Sequence, residues 1–207
     1  MKVEFMKRLN WISRLFATAA LAVLAATSVQ AQIAPDALIK TVATDVTTVL
    51  KADPAILSNA AKLKELIENK LIPNFSFARM TQLAMGRNWV KATPEQQAAL
   101  TKEFQTLLVR TYSGALANFR NNTIDVRPLR LQPAETDVTV KTVINQANGQ
   151  GIPIDYSLEK SADGSWKAYD IIVAGVSLVT NYRDEFNTVI RDQGVDALVK
   201  QLQAKNK

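Results

Sequence analysis

The 207 residues contain no cysteine and no histidine, so any chemistry has to come from carboxylates, tyrosine, serine or lysine. Those two absences together remove thiolate nucleophiles, histidine-based triads, HExxH zinc sites and thiolate metal clusters. No GxGxxG, Walker lysine motif, EF-hand loop or GxSxG elbow is present either. Carboxylates are the remaining candidates. Asp155 and Glu159 share the polar side of one predicted strand, where solvated surface charge is the ordinary role. Asp170 stands among Tyr169, Ile171, Ile172 and Val173. A carboxylate buried in such company has a raised pKa and can serve as a general acid or base, here with Tyr156 or Tyr169 beside it. The commoner role for such a residue is structural, held by backbone amides or an arginine.

The elements that must position these groups fall in two blocks. Leu38, Ile39, Val42, Val46, Val49 and Leu50 recur at helical spacing until Asp53-Pro54 interrupts. A second helix is predicted from about Ala55 to Ile72, ended by Pro73, and a third over Phe77 to Met85, capped by Ser76 and closed by Gly86. The longest helix has the clearest start, with Thr93 as cap, Pro94 at the first position and Gln96 completing a capping box. Its stripe of Leu100, Phe104, Leu107, Leu108, Thr111, Tyr112, Ala115, Leu116 and Phe119 fits either a core face or a cavity wall.

After Asn121 the period changes to two. Four sequential antiparallel strands are predicted: one around Ile124 to Leu131 with a bulge or edge at Arg127-Pro128, one over Val138 to Ile144, one carrying Ile154, Tyr156 and Leu158, and one starting at Trp166. Turns are marked by Asn148-Gly149-Gln150-Gly151 and Ala162-Asp163-Gly164-Ser165. From Trp166 the strand is apolar on both faces, turns at Gly175, and leads to a helix over about Asn181 to Asp192 that stops at Gly194 and resumes from Val195 to Leu202. Helices first and a meander after them define an α+β domain with helices on one face of a curved four-stranded sheet. A long helix lying across such a sheet leaves a cone-shaped hollow.

Lys2, Lys7, Arg8 and Arg14 precede an apolar run from Leu15 to Ala26 and a small-residue site at Val29-Gln30-Ala31. This is the pattern of a cleaved secretory signal peptide over residues 1–31, too short in its apolar part to span a membrane. The expectation is export with cleavage of the leader, with residues 32–207 forming a single domain. Half of the formal charge of +6 belongs to the leader, and no basic stripe with interleaved aromatics follows it, which argues against nucleic acid as a partner.

Gly86-Arg87-Asn88-Trp89, Ala92-Thr93-Pro94-Glu95-Gln96, Trp166-Lys167-Ala168-Tyr169-Asp170-Ile171 and Gly175-Val176-Ser177-Leu178-Val179 with Asn181-Tyr182-Arg183 occur in this order. In these blocks the chain resembles the MlaC family of periplasmic phospholipid-binding, toluene-tolerance auxiliary proteins. It departs in having Ala174 where family members often carry an acidic residue before the Gly-Val-Ser. The resemblance implies a nuclear transport factor 2-like sheet with extra helices around the acyl tails of a phospholipid. It also implies a non-enzymatic shuttle between an outer-membrane lipoprotein–porin complex and an inner-membrane ABC transporter with an MCE-domain subunit, maintaining outer-membrane lipid asymmetry. A monomer with no cofactor or metal is the expectation for such a shuttle. On this view face and period put Phe75, Met80, Leu83, Phe104, Leu108, Tyr112 and Leu116 from the helices around the lipid. The sheet and the turn after it add Ile154, Tyr156, Tyr169, Ile171, Val173, Val176 and Leu178. Arg87 and Lys91 are the candidates to meet an anionic headgroup. The competing readings are an enzyme using Asp170 and a ligand-free periplasmic interaction module with a filled core.

Overall fold

Prolines and asparagines divide the helical half of the chain. The computed structural model describes residues 33–146 and 149–207; the expected leader and Asn148 of the expected turn lie outside them, as does the side chain of Phe119. Helix α1 (Pro35–Ala52) opens on proline, which already has a helical φ, and buries Ile39, Val46 and Leu50. The single helix predicted over Ala55 to Ile72 is instead broken. A 3-10 turn (Pro54–Ser58) is followed by α2 (Ala60–Leu66), a π turn (Ile67–Leu71) and another 3-10 turn (Ile72–Asn74). Asn59 takes an extended backbone and accepts a hydrogen bond from Lys62 N, the familiar competition of an asparagine side chain with helix continuation. Pro73 has no N–H and its ring crowds the preceding turn, so the chain there leaves the α geometry.

Helix α3 (Phe77–Met85) ends at Gly86 (φ 56), as the sequence predicts. Ser76 does not cap it through its side chain; its backbone N–H donates to Ala168 O at 2.8 Å, tying the helix start to the sheet. Helix α4 (Pro94–Tyr112) has the capping box intact, with Gln96 N donating to Thr93 Oγ1 and Thr93 N donating to Gln96 Oε1. It then tightens into a 3-10 segment (Ser113–Phe119). Helices α5 (Leu178–Gln193) and α6 (Val195–Lys205) are separated by Gly194 (φ 86). Helix α5 starts earlier than predicted because Ser177 Oγ accepts a bond from Thr180 N and fixes the first turn. Helices α3 to α6 share a core in which Phe104, Tyr182 and Phe186 pack with centroids 5.0, 5.1 and 5.8 Å apart.

The sheet has five antiparallel strands in sequence order: β1 (Thr123–Val126), β2 (Asp137–Asn145), β3 (Ile152–Lys160), β4 (Trp166–Val173) and β5 (Val176–Ser177). Four were predicted; the fifth is the two-residue return after Gly175. Strand β1 ends before Pro128, so no bulge forms there, and Leu129 N donates to Asp36 Oδ2 on α1 instead. The irregularity lies in β4. Ser157 pairs with Asp170 and Leu158 with Ala168, which leaves Tyr169 as an extra residue with no partner on β3. The outer edge of β4 is also shared: Phe75 bridges to Ala168 at one end, and β5 pairs with Ile172 and Val173 at the other.

The β4–β5 hairpin turns through two residues, Ala174 (φ 49) and Gly175 (φ 85). A two-residue turn with positive φ at both positions is the type I′ geometry, which favours Asn or Asp first and Gly second. Ala174 is therefore strained, where a short polar side chain would tolerate the same backbone. Ala174→Asn is expected to stabilise the fold by about 1 kcal/mol, seen as a higher urea midpoint at unchanged slope.

Candidate functional site: an apolar cavity between helices and sheet

The inner face of the sheet is a ladder of large apolar residues. Register sets Val138 opposite Leu158, Val140 opposite Tyr156, and Thr142 opposite Ile154 across β2 and β3, with Leu158, Tyr156 and Ile154 facing Ala168, Ile171 and Val173 on β4. Near Val138, Leu158 and Ala168 this face is sealed by α1 and Trp166. Towards Ile154 and Val173 the layers part. Between them lies a cavity of about 250 Å³, larger than the ~150 Å³ apolar hollow that stays dry and takes up benzene.

Three groups of side chains enclose it. The sheet contributes Ile154, Tyr156, Ala168, Ile171 and Val173, followed by Leu178 at the start of α5. Helix α4 and its 3-10 extension contribute Leu108, Val109, Tyr112, Ser113, Ala115 and Leu116. The opposite wall is α1 through Ile39, Val42, Ala43 and Val46, the π turn through Ile67 and Leu71, and Ile72, Asn74, Phe75, Phe77 and Met80. Among the described residues no Asp, Glu, Lys or Arg belongs to the lining. Tyr112 and Val173, both 37% exposed, mark where it opens.

Of the wall residues expected from sequence, Phe75, Met80, Leu108, Tyr112, Leu116, Ile154, Tyr156, Ile171, Val173 and Leu178 line this space. The structure places the others elsewhere. Phe104 is wholly buried in the α3–α6 core, because α4 turns its N-terminal half to the bundle and its C-terminal half to the cavity. Leu83 packs on the same bundle. Val176 is 60% exposed on β5. Tyr169, as the extra residue of the bulge, leaves the inner face. Its hydroxyl donates to Asp137 at 2.8 Å, and Arg79 lies 5.7 Å from its ring centre while also facing Glu159 at 3.5 Å. Glu159 is thus paired across the outer face, and Asp155 is not in the lining.

Arg87 and Lys91 sit in the exposed 3-10 turn (Gly86–Lys91) and are not part of the wall; Lys91 Nζ donates to Asn88 Oδ1 at 3.4 Å. Asp170 does not enter the cavity either. Its Oδ1 accepts from Ile171 N (2.9 Å) and Val179 N (3.1 Å), and its Oδ2 accepts from Ser177 Oγ (2.5 Å). These bonds fasten β4 to the first turn of α5. Sequence reasoning missed α1, the π turn, Phe77 and Val109 as wall. The signal was present in the stripe of Ile39, Val42 and Val46, but period alone does not separate packed residues from lining ones.

Chemically the cavity offers almost nothing reactive. Asn74 Nδ2 donates to Lys70 O at 2.8 Å and Ser113 Oγ to Arg110 O at 3.4 Å, so both are committed to backbone. Burial pushes the Tyr156 phenol from 10.0 up to about 12, so near neutral pH it is a hydrogen-bond donor and not a base. What these elements define is a container: an α+β shell around a charge-free hollow suited to a large apolar guest.

Comparison with known proteins places that container. The family model described as MlaC protein matches residues 40–204, and the chain belongs to the MlaC family. It is 25% identical over 157 residues to the intermembrane phospholipid transport system binding protein MlaC of Haemophilus influenzae, covering 72% of this chain and 73% of that protein. It is 31% identical over 106 residues to the toluene tolerance protein ttg2D of Pseudomonas putida, covering 51% of this chain and 48% of that one. A solved phospholipid-binding protein from Ralstonia solanacearum, determined with a bound phospholipid, superposes with a TM-score of 0.76 at 42% identity, over 85% of this chain and 97% of its own.

The tyrosines give the fold a marked alkaline limit. Tyr156 and Tyr182 are raised to about 12 chiefly by burial, and Tyr169 to about 12 by burial and then by the neighbouring Asp137 carboxylate. Each phenol ionises more readily in the unfolded chain, so its contribution is complete below pH 10 and is lost as pH rises through about 12. The urea midpoint is expected to fall steeply across that window, and Tyr156→Phe to make the fall shallower.

Proposed function

We infer that this chain is a periplasmic phospholipid carrier, burying acyl tails in the apolar cavity and shuttling lipid between the outer and inner membranes. The observation that carries this reading is the lining itself: large apolar side chains from two layers stand apart around a hollow with no charged group. The phospholipid bound by the Ralstonia solanacearum relative and the names of the two curated relatives support it. Exposing a methylene costs roughly 0.8 kcal/mol, so two ordinary tails carry a gross penalty on the order of 20 kcal/mol in water. A protein that removes this cost needs apolar wall and no catalyst. The expected leader would deliver the chain to the compartment between the membranes. The partners implied are an outer-membrane lipoprotein–porin complex that supplies or receives lipid and an inner-membrane ABC transporter with an MCE-domain subunit. The protein acts in this reading as a monomer, without enzymatic activity or cofactor, and serves outer-membrane lipid asymmetry.

Protein purified gently from cells and extracted into organic solvent is expected to release phospholipid, read by mass spectrometry. Ala43→Phe fills the hollow from α1 and is expected to cut the lipid load several-fold while holding or raising the melting temperature. Asp170→Asn, which touches a fastener outside the cavity, is expected to keep the load in whatever fraction folds. Empty wild-type protein contradicts the carrier reading.

A further inference from the structure

Below its opening the cavity wall holds a polar atom that the fold leaves without a task. Among the described residues the Tyr156 hydroxyl makes no hydrogen bond, whereas Asn74 and Ser113 donate to backbone carbonyls and the remaining polar side chain of the wall, Tyr112, stands at the opening, 37% exposed. The side chain belongs to the lining, so its phenol end borders the empty space. The hydroxyl keeps contact with that space, since it is not among the side-chain atoms that are both sealed and unpaired, so a guest that displaces water from it has to offer an acceptor in return. Phenylalanine would have served if the guest were hydrocarbon at this depth.

The depth is given by the strand register. Ile154 and Val173 form the rung at the opening, where Val173 is 37% exposed. Tyr156 and Ile171 form the next rung inward, two residues or about 7 Å deeper. Beyond them Leu158 and Ala168 close the ladder, each almost fully buried. A lipid entering tails first and leaving its charged group in water would bring its next chemical feature, the ester linkages, to the level of Tyr156.

Resting on the carrier reading, we propose that the Tyr156 hydroxyl donates a hydrogen bond to an ester carbonyl oxygen of the guest, making the cavity selective for acyl-ester over alkyl-ether lipids. The bond sets how far the lipid sinks. Apolar walls alone let tails slide along the hollow, since every methylene is equivalent to the next; one directed donor fixes the register between lipid and sheet.

The test uses delipidated full-length mature protein and two phosphatidylethanolamines of equal chain length, one dipalmitoyl and one with two hexadecyl ether chains. Affinities are measured by competition against a fluorescent lipid for wild type and Tyr156→Phe. Wild type is expected to favour the diester by about tenfold, the worth of one net hydrogen bond, and the variant to bind both lipids alike. Equal affinities in wild type overturn the assignment. So does a preference that survives in Tyr156→Phe, or an equal loss for both lipids, which would mean that the hydroxyl meets the shared phosphate or a trapped water. A protein that takes up neither lipid overturns the carrier reading itself and this inference with it. If the variant fails to fold, the wild-type comparison still decides.

Discussion

One unpaired residue in β4 governs which side chains meet the cavity. In a regular strand Ala168 and Ile171, three positions apart, would point to opposite faces, because side chains alternate with a period of two. Tyr169 is inserted between the pairs Leu158–Ala168 and Ser157–Asp170, and the alternation is reset across it. Ala168 and Ile171 thereby both line the hollow, while Tyr169 joins Asp137, Arg79 and Glu159 on the outer face. The same bulge frees Asp170 to take the first turn of α5, through Ser177 and Val179, so the lip that follows the strand is tied back to it. A sheet that must both line a guest and anchor helices uses the extra residue to change faces part-way along one strand.

Holding the layers apart has an energetic consequence. Scaled from engineered closed cavities at ~24 cal/mol per Å³, a sealed hollow of this size would cost about 6 kcal/mol, and one that opens to solvent costs less, against a usual total stability of ~5–15 kcal/mol for a domain. The fold tolerates this by putting its densest packing elsewhere. Phe104, Tyr182 and Phe186 interlock in the α3–α6 bundle, and Val140, Leu158 and Trp166 seal the closed end under α1. Only the rungs from Tyr156 to Val173 and the segments facing them are left unpacked. The missing partner contacts are those a guest's tails can supply, which couples loading to stability.

How much of this could be read from the chain follows from which features leave a local signal. The capping box at Thr93 and Gln96, the stop at Gly86, the break at Gly194 and the strand order are all written in residue types with a fixed local meaning. The bulge is not, since Trp166 to Val173 contains no glycine or proline to mark it, and strict alternation therefore assigns Tyr169 to the wrong face. In the second stretch the helical period of Leu63, Leu66, Ile67 and Leu71 masked the local signal of Asn59, whose side chain accepts from Lys62 N and starts a new helix. Periodicity identified the inward faces of α1 and α4 but was silent on what each face touches. Along α4 and its 3-10 extension the same stripe serves two environments, with Leu100, Phe104 and Leu107 in the bundle and Tyr112, Ala115 and Leu116 at the cavity. The block Gly175-Val176-Ser177-Leu178-Val179 carried the family resemblance most specifically, and each position now has a physical reason: a positive-φ turn, a short strand, a helix cap, a cavity-lining side chain and a fastened amide.

A cavity lined in this way distributes its affinity thinly. Each apolar side chain in the wall contributes area in common with its neighbours, and removing one methylene of contact costs under about 1 kcal/mol. Truncations along the wall should therefore be nearly silent one at a time, which is why no single apolar residue stands out in the sequence as essential. Bulk acts differently. A ring placed at Ala43 excludes the guest from space that every tail must use, so filling the hollow is far more damaging than enlarging it. Polarity acts differently again, because an unpaired donor in an apolar site is felt at full strength. The wall is thus permissive towards the length and kind of hydrocarbon. It becomes selective only where the lipid itself turns polar, and the side chains that meet it there, at the two rungs nearest the opening, are the ones whose chemistry has to be exact.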